Sequence, residues 1–138
     1  MRKELQRIMD YFSLRLEVMT LFIFGTFDTP FEREDSDIDI AVLVNPVITK
    51  DVLESLKNEY YAASTGFSLK CVDIVILNSA PVPLKHRILK TGRIIIDRDT
   101  EYRKHFTASA IQEYLDYSFI EDVYFDEMGK RLRRAAGG

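Results

Sequence analysis

Asp37-Ile38-Asp39-Ile40-Ala41-Val42-Leu43-Val44 decides how this chain is read. Ile40 to Val44 is an unbroken apolar run, which marks a buried strand, and the whole stretch from Asp37 to Val44 is expected to be one strand. Its two opening aspartates are out of place, because Asp is disfavoured in strands and burying an unpaired carboxylate costs several kcal/mol. Side chains alternate along a strand, so Asp37 and Asp39 would share a face, about 7 Å apart. A solvent-facing strand edge explains that pair equally well. Asp73 is harder to explain away, since Cys71-Val72-Asp73-Ile74-Val75-Ile76-Leu77 surrounds it with core-like residues. If the strand carrying Asp73 pairs beside the first, its carboxylate joins the others from about 5 Å to the side. Three carboxylates so placed repel one another unless a cation neutralises them, and oxygen-only ligands suit Mg2+ or Mn2+.

Working outward, Leu5, Ile8, Met9, Phe12 and Leu16 recur at helical spacing, so Arg2 to Glu17 is expected to be an amphipathic helix. Val18 to Phe24 reads as a buried strand ended by Gly25-Thr26. Phe27 to Ser36 reads as a loop broken by Pro30. After Asn45-Pro46, Thr49-Lys50-Asp51 leads into a helix with Val52, Leu53, Leu56 and Tyr60 on one face, closed by Gly66. Leu69 to Leu77 is a third strand, Pro81 opens a short helix that ends before Gly92, and Arg93 to Asp97 is a fourth strand. Beyond Asp99 the chain turns helical, with Tyr102, Phe106, Ile111, Tyr114 and Leu115 roughly in phase. Strands early and helices late predict an α/β (α+β) domain, a small mixed sheet flanked by helices.

The 138 residues fit a single domain, 1–138, with a core over about 5–117 and a C-terminal helix or tail over 118–138. With 46% hydrophobic and 30% charged residues, the chain is neither disordered nor fibrous. Its 19 basic and 22 acidic residues leave a net charge of −3, the wrong sign for a protein that grips a nucleic-acid backbone. Cys71 is the only cysteine and His86 and His105 the only histidines, which excludes disulfide frameworks and Cys- or His-based metal clusters. The longest apolar runs fall well short of a membrane span, and Glu4 and Gln6 interrupt any signal core after Arg2-Lys3. A cytoplasmic location without membrane association is expected.

Gly25-Thr26 follows a buried strand and precedes Asp37 by ten intervening residues. Glycine admits a phosphate close to the backbone, and the threonine hydroxyl can donate to it. Gly-Thr, ten residues and Asp-x-Asp together resemble the Gly-Ser-x10-Asp-x-Asp signature of the DNA polymerase β-like nucleotidyltransferases. Ser36-Asp37-Ile38-Asp39, Val72-Asp73-Ile74-Val75 and the short chain narrow the likeness to the minimal nucleotidyltransferases (MNT). Asn78-Ser79-Ala80-Pro81, His86-Arg87-Ile88-Leu89, Gly92-Arg93, Arg98-Asp99 and Tyr102-Arg103 are similar to their MntA-type antitoxins, and the resemblance spans roughly residues 5 to 117. It implies a nucleotidyltransferase fold and a partner, an all-helical HEPN toxin with RNase activity, onto whose tyrosine AMP is transferred from ATP with Mg2+, two ions being used. Carried over by position, Asp37, Asp39 and Asp73 hold metal, Asp73 also helps deprotonate the acceptor hydroxyl, and Gly25 and Thr26 cradle the triphosphate. No direct nucleic-acid binding is implied.

The sequence departs from that pattern. Thr26 replaces serine but keeps the hydroxyl. Phe27-Asp28-Thr29-Pro30 replaces an Ala-Arg-Gly-like loop, removing a basic group and a flexible joint beside the phosphates; Arg33 is a possible substitute. Two other readings therefore stay open: a binding-only antitoxin with an inactive site, and a small-molecule nucleotidyltransferase of the aminoglycoside type, for which the chain is short. Arg98 and His105 mimic the Arg-x6-His spacing of the HEPN nucleases, but four expected strands argue against that fold. Cys71 is expected in the core, Lys85, His86, Arg87, Lys90 and Arg93 are either phosphate contacts or a solvated helix face, and the aromatic, basic region from Tyr114 to Arg134 is the expected docking segment, with a flexible end at Ala135–Gly138.

Overall fold

The computed structural model describes residues 1–137. Its elements are α1 (Lys3–Ser13), β1 (Val18–Phe24), β2 (Ile38–Val44), α2 (Lys50–Ser64), β3 (Val72–Ile76), a single 3-10 turn (Leu77–Ser79), α3 (Val82–Thr91), β4 (Arg93–Asp97) and α4 (Thr100–Gly137). The strands form one mixed sheet in the order β3-β2-β1-β4. β1 runs antiparallel to both β2 and β4, while β2 and β3 are parallel and joined through α2. The expected α+β domain with a flanked mixed sheet is what forms.

Strand alternation sorts the core into two layers. Leu21, Ile23, Ile38, Ile40, Val42 and Ile74 face α1 and α2, where Ile8, Phe12, Leu53 and Tyr60 are buried with them. Phe22, Phe24, Ala41 and Leu43 face the other way, onto Ile88 of α3 and Tyr102 and Phe106 of α4. Asp39 has the same parity as Ala41 and Leu43, so it belongs to the α3/α4 face. Asp99 starts α4, accepting the Tyr102 N–H on its side chain at 3.0 Å, and proline in the first turn suits the start of α3.

Several element ends differ from expectation. The helical spacing ran on to Leu16, but α1 stops at Ser13 and Leu16 is 83% exposed. The guanidinium of Arg98 accounts for this: it donates to the backbone carbonyls of Phe12, Ser13, Arg15 and Val18, capping the helix end from across the fold. That use also removes Arg98 from any nuclease motif. β2 begins at Ile38, one residue after Asp37. β3 is shorter than expected because it is an edge strand, and Leu69 and Cys71 are exposed rather than core. Val52 is also exposed, although Leu53, Leu56 and Tyr60 are buried as read. Finally, α4 is one helix of 38 residues. It runs through Gly129 and the basic segment, and Ala135–Gly137 continue it; Gly138 lies outside the described residues. No helix among the described residues is long and apolar enough to cross a membrane.

Candidate active site

The parallel register of β2 and β3 sets Asp39 level with Asp73, the neighbour relation that makes their carboxylates interact. On the other side of β2, Phe24, the last residue of β1, lies opposite Asp39, so the turn at Gly25 sits directly against that carboxylate. Gly25 has φ +75°, which favours glycine, and a Cβ at this position would run into Oδ2 of Asp39. Glycine is required here for two reasons, and both bring bare backbone up to the acid.

Asp37 is exposed and immediately precedes β2. Asp39 is half-buried, and its carboxyl is held above the ordinary carboxylate range: burial contributes most, followed by the charges of Asp73 and then Asp37, with Arg87 of α3 opposing them. Asp73 is exposed at the sheet edge. Its Oδ1 accepts a hydrogen bond of 2.7 Å from the hydroxyl of Tyr61, which in turn accepts the N–H of Ile74 at 2.9 Å. Tyr61 therefore reaches around the edge strand from α2 and fixes one oxygen of Asp73. Sequence reading missed this residue, since nothing local to Tyr61 points to an acid twelve residues away.

Gly25 and Thr26 are exposed at the mouth of the turn. The Thr26 hydroxyl bonds the Ser36 hydroxyl at 3.1 Å, closing the neck of the 27–36 loop. Ser36 also accepts the Arg33 N–H at 2.7 Å, and Lys70 Nζ donates to the carbonyls of Arg33, Glu34 and Ser36. Phe27 is fully buried, so it anchors the loop in the core. Arg2 lies over its ring at 4.3 Å and pairs with Glu32 at 2.6 Å. The altered loop is thus pinned at several points rather than open.

The basic group read from the sequence splits apart. Arg93 donates to the carbonyls of Phe27 and Asp28 at 2.6 and 3.1 Å. Lys85 is buried, pairing with Glu113 at 3.3 Å, and His86 stacks on Tyr114 at 3.8 Å. Arg87 alone of the group acts on Asp39 through its charge. His105 is exposed on α4. A cavity of about 290 Å³ lined by Lys50, Lys57 and Leu84 opens near Ile76, at the far end of β3 from Asp73, and is separate from the carboxylates.

The donor set fits a hard dication in its chemistry: oxygen-only and anionic, with the charges of Asp73 and Asp37 adding to burial in raising Asp39. Among the described residues, however, no three acidic, histidine or cysteine side chains converge closely enough to hold an ion as they stand. The Tyr61 bond to Asp73 shows where one of the donors is engaged instead.

Several solved structures share this fold. A chain of a toxin–antitoxin complex with AMP-PNP superposes with a TM-score of 0.69 at 20% identity, covering 90% of this chain and 97% of that one. A chain from a complex of tri-AMPylated Shewanella oneidensis HEPN toxin with MNT antitoxin gives 0.64 at 21% identity, covering 92% and 98%. One from an MntA-HepT toxin–antitoxin complex gives 0.63 at 20%, covering 91% and 96%. No curated protein matches the chain. The family model described as polymerase beta, nucleotidyltransferase matches residues 6–101, which carry the Gly25 turn, Asp37, Asp39 and Asp73. The chain belongs to the polymerase beta nucleotidyltransferase family.

Proposed function

We propose that this chain is an antitoxin nucleotidyltransferase that transfers AMP from ATP to a tyrosine hydroxyl of a cognate HEPN toxin in the cytoplasm, silencing it. The observation that carries the reading is Asp39, level with Asp73 on one side and against the obligatory glycine turn at Gly25 on the other. It places bare backbone and paired carboxylates side by side, which is what a triphosphate and its counter-cation need. The likeness to chains from MNT–HEPN complexes, one with a tri-AMPylated toxin, supports the choice of partner and reaction class.

In this reading, the exposed N–H groups of the Gly25-Thr26 turn and the Thr26 hydroxyl hold the triphosphate. Asp37, Asp39 and Asp73 would hold Mg2+, with two ions used. The metal would acidify the acceptor hydroxyl and neutralise charge on the leaving group. Asp73 takes the phenolic proton as the oxygen attacks the α-phosphorus. One P–O bond forms to the acceptor, the bond to the β-phosphate bridge breaks, and pyrophosphate departs. Arg87, whose charge already opposes the rise at Asp39, stabilises the accumulating negative charge.

The test combines the purified chain, Mg2+, a HEPN partner and ATP labelled at the α- or the γ-phosphate. Transfer of α-label alone to a partner tyrosine, mapped by mass spectrometry, is the expected result. One structural observation favours a second reading, a binding-only antitoxin: the three carboxylates do not converge as they stand. That reading wins if the Asp37→Asn/Asp39→Asn variant still neutralises the toxin in cells.

A further inference from the structure

The second half of α4 is a helix without a body beneath it. Ala110 is its last buried residue, and Tyr114, stacked on His86, marks the end of its contact with α3. Beyond that, Tyr117, Ile120, Tyr124, Phe125, Met128 and Leu132 are all exposed, Ile120 and Leu132 by 66% each. Helical geometry puts Tyr117, Ile120, Tyr124, Met128, Leu132 and Ala135 on one face, roughly a third of the circumference, with Glu121 and Arg131 as the two charged residues within the same arc. This face continues the line along which Ala110 and Tyr114 pack on the domain.

The charges of the same segment are sorted in blocks. Glu113, Asp116, Glu121, Asp122, Asp126 and Glu127 come first with no basic residue among them, and Lys130, Arg131, Arg133 and Arg134 follow with no acidic one. Ion pairs Asp126–Lys130 at 3.4 Å and Glu127–Arg131 at 3.7 Å span the boundary and support the helix there. A parallel neighbour of like sequence would set acid on acid and base on base. An antiparallel neighbour of like sequence sets each basic block beside the other copy's acids.

The geometry points to a second copy of this chain as the occupant: we propose that α4 pairs antiparallel with α4 of another molecule over residues 117–135. Centred level with Asp126, this register opposes Tyr117 to Ala135, Ile120 to Leu132 and Tyr124 to Met128, and brings Arg134 alongside Asp116. One rule of pairing satisfies the apolar face and the charge blocks together. Burying this face on two copies removes on the order of 1,000 Å² from water, near the lower limit for a specific interface, so the dimer dissociates on dilution. The proposal goes beyond the nucleotidyltransferase reading and does not depend on it.

The test uses the full chain alone. Sedimentation velocity across a concentration series is expected to show a shift from the 16.0 kDa monomer to twice that mass. Tyr124→Glu/Met128→Glu is expected to stay monomeric with the melting temperature of the domain unchanged. Orientation is read by disulfide trapping in a Cys71→Ser background. Tyr117→Cys chains mixed with Ala135→Cys chains are expected to cross-link as heterodimers, while each alone does not. A monomer at every concentration overturns the proposal, as does self-cross-linking of either single-cysteine chain. A chain that binds only a HEPN partner through these residues, and never itself, also overturns it.

Discussion

The sheet body and the projecting half of α4 spend their hydrophobic residues in opposite ways. In the body, Phe12, Phe27, Ile38, Ile40 and Tyr60 are wholly buried, and Arg98 caps the end of α1 from across the fold. In α4 beyond Ala110, aromatic residues of the same kinds stand in water, Phe119 at 69% exposure. The contrast teaches that composition alone does not say what a hydrophobic residue is for. The body is held by intramolecular burial, whereas the projecting helix is held by its backbone and local ion pairs and leaves its apolar surface for another molecule.

Truncation is the sharpest way to break that comparison. Phe12→Ala is expected to cost roughly 3–5 kcal/mol of unfolding free energy, read as a fall in the denaturant midpoint. Phe119→Ala, the same chemical change off the body, should stay within about 0.5 kcal/mol. Equal costs would mean that α4 folds back onto the domain. Within the body, Gly25→Ala is the next largest effect, about 1–3 kcal/mol from positive φ and collision with Asp39, with loss of nucleotide binding. Calorimetry with ATP measures both. Tyr61→Phe should cost about 1 kcal/mol, since Ile74 N–H loses its acceptor and Asp73 its donor. Freeing Asp73 is expected to tighten Mg2+ binding, read by isothermal titration.

The smallest effect is a pH dependence. The Asp39 carboxyl lies above its ordinary range in the folded chain. Between the ordinary and raised values the folded state therefore holds a proton that the unfolded state has released. The Asp39 contribution to stability must fall as pH rises through that window, the reverse of a salt-bridged carboxylate. Glu4, Glu17 and Glu32, whose carboxyls are lowered, act with the opposite sign. The effect is therefore read in metal-free buffer as the difference in melting temperature between wild type and Asp39→Asn, which should shift slightly against the wild type as pH rises.

Much of the body was legible in the sequence because its signals are local. Val18–Phe24 and Arg93–Asp97 formed as read, and the misplaced acids of DIDI and VDIV marked the two strands that pair. What was not legible is set by distant contacts. The end of α1 depends on the Arg98 guanidinium, which arrives from far along the chain. The exposure of Leu69 and Cys71 follows from β3 being an edge, a property of strand order rather than of its residues. Tyr61 became visible only once β3 was placed beside α2. The glycine at position 25 could be read as a turn, but its second role, making room for Asp39, needed the register of β1 on β2. The exposed seam of α4 was legible as an aromatic, charged region, though not as one unbroken helix.

In the proposed function Asp39, half-buried and raised above the ordinary carboxylate range, serves chemistry at the expense of the fold. The most direct test measures transfer of α-labelled phosphate and melting temperature on one preparation of Asp39→Asn beside the wild type. The prediction is loss of transfer by about a hundredfold or more, with a metal-free melting temperature equal to or above that of the wild type. Retained transfer, or a marked fall in melting temperature, would show that Asp39 is part of the scaffold and not of the active site.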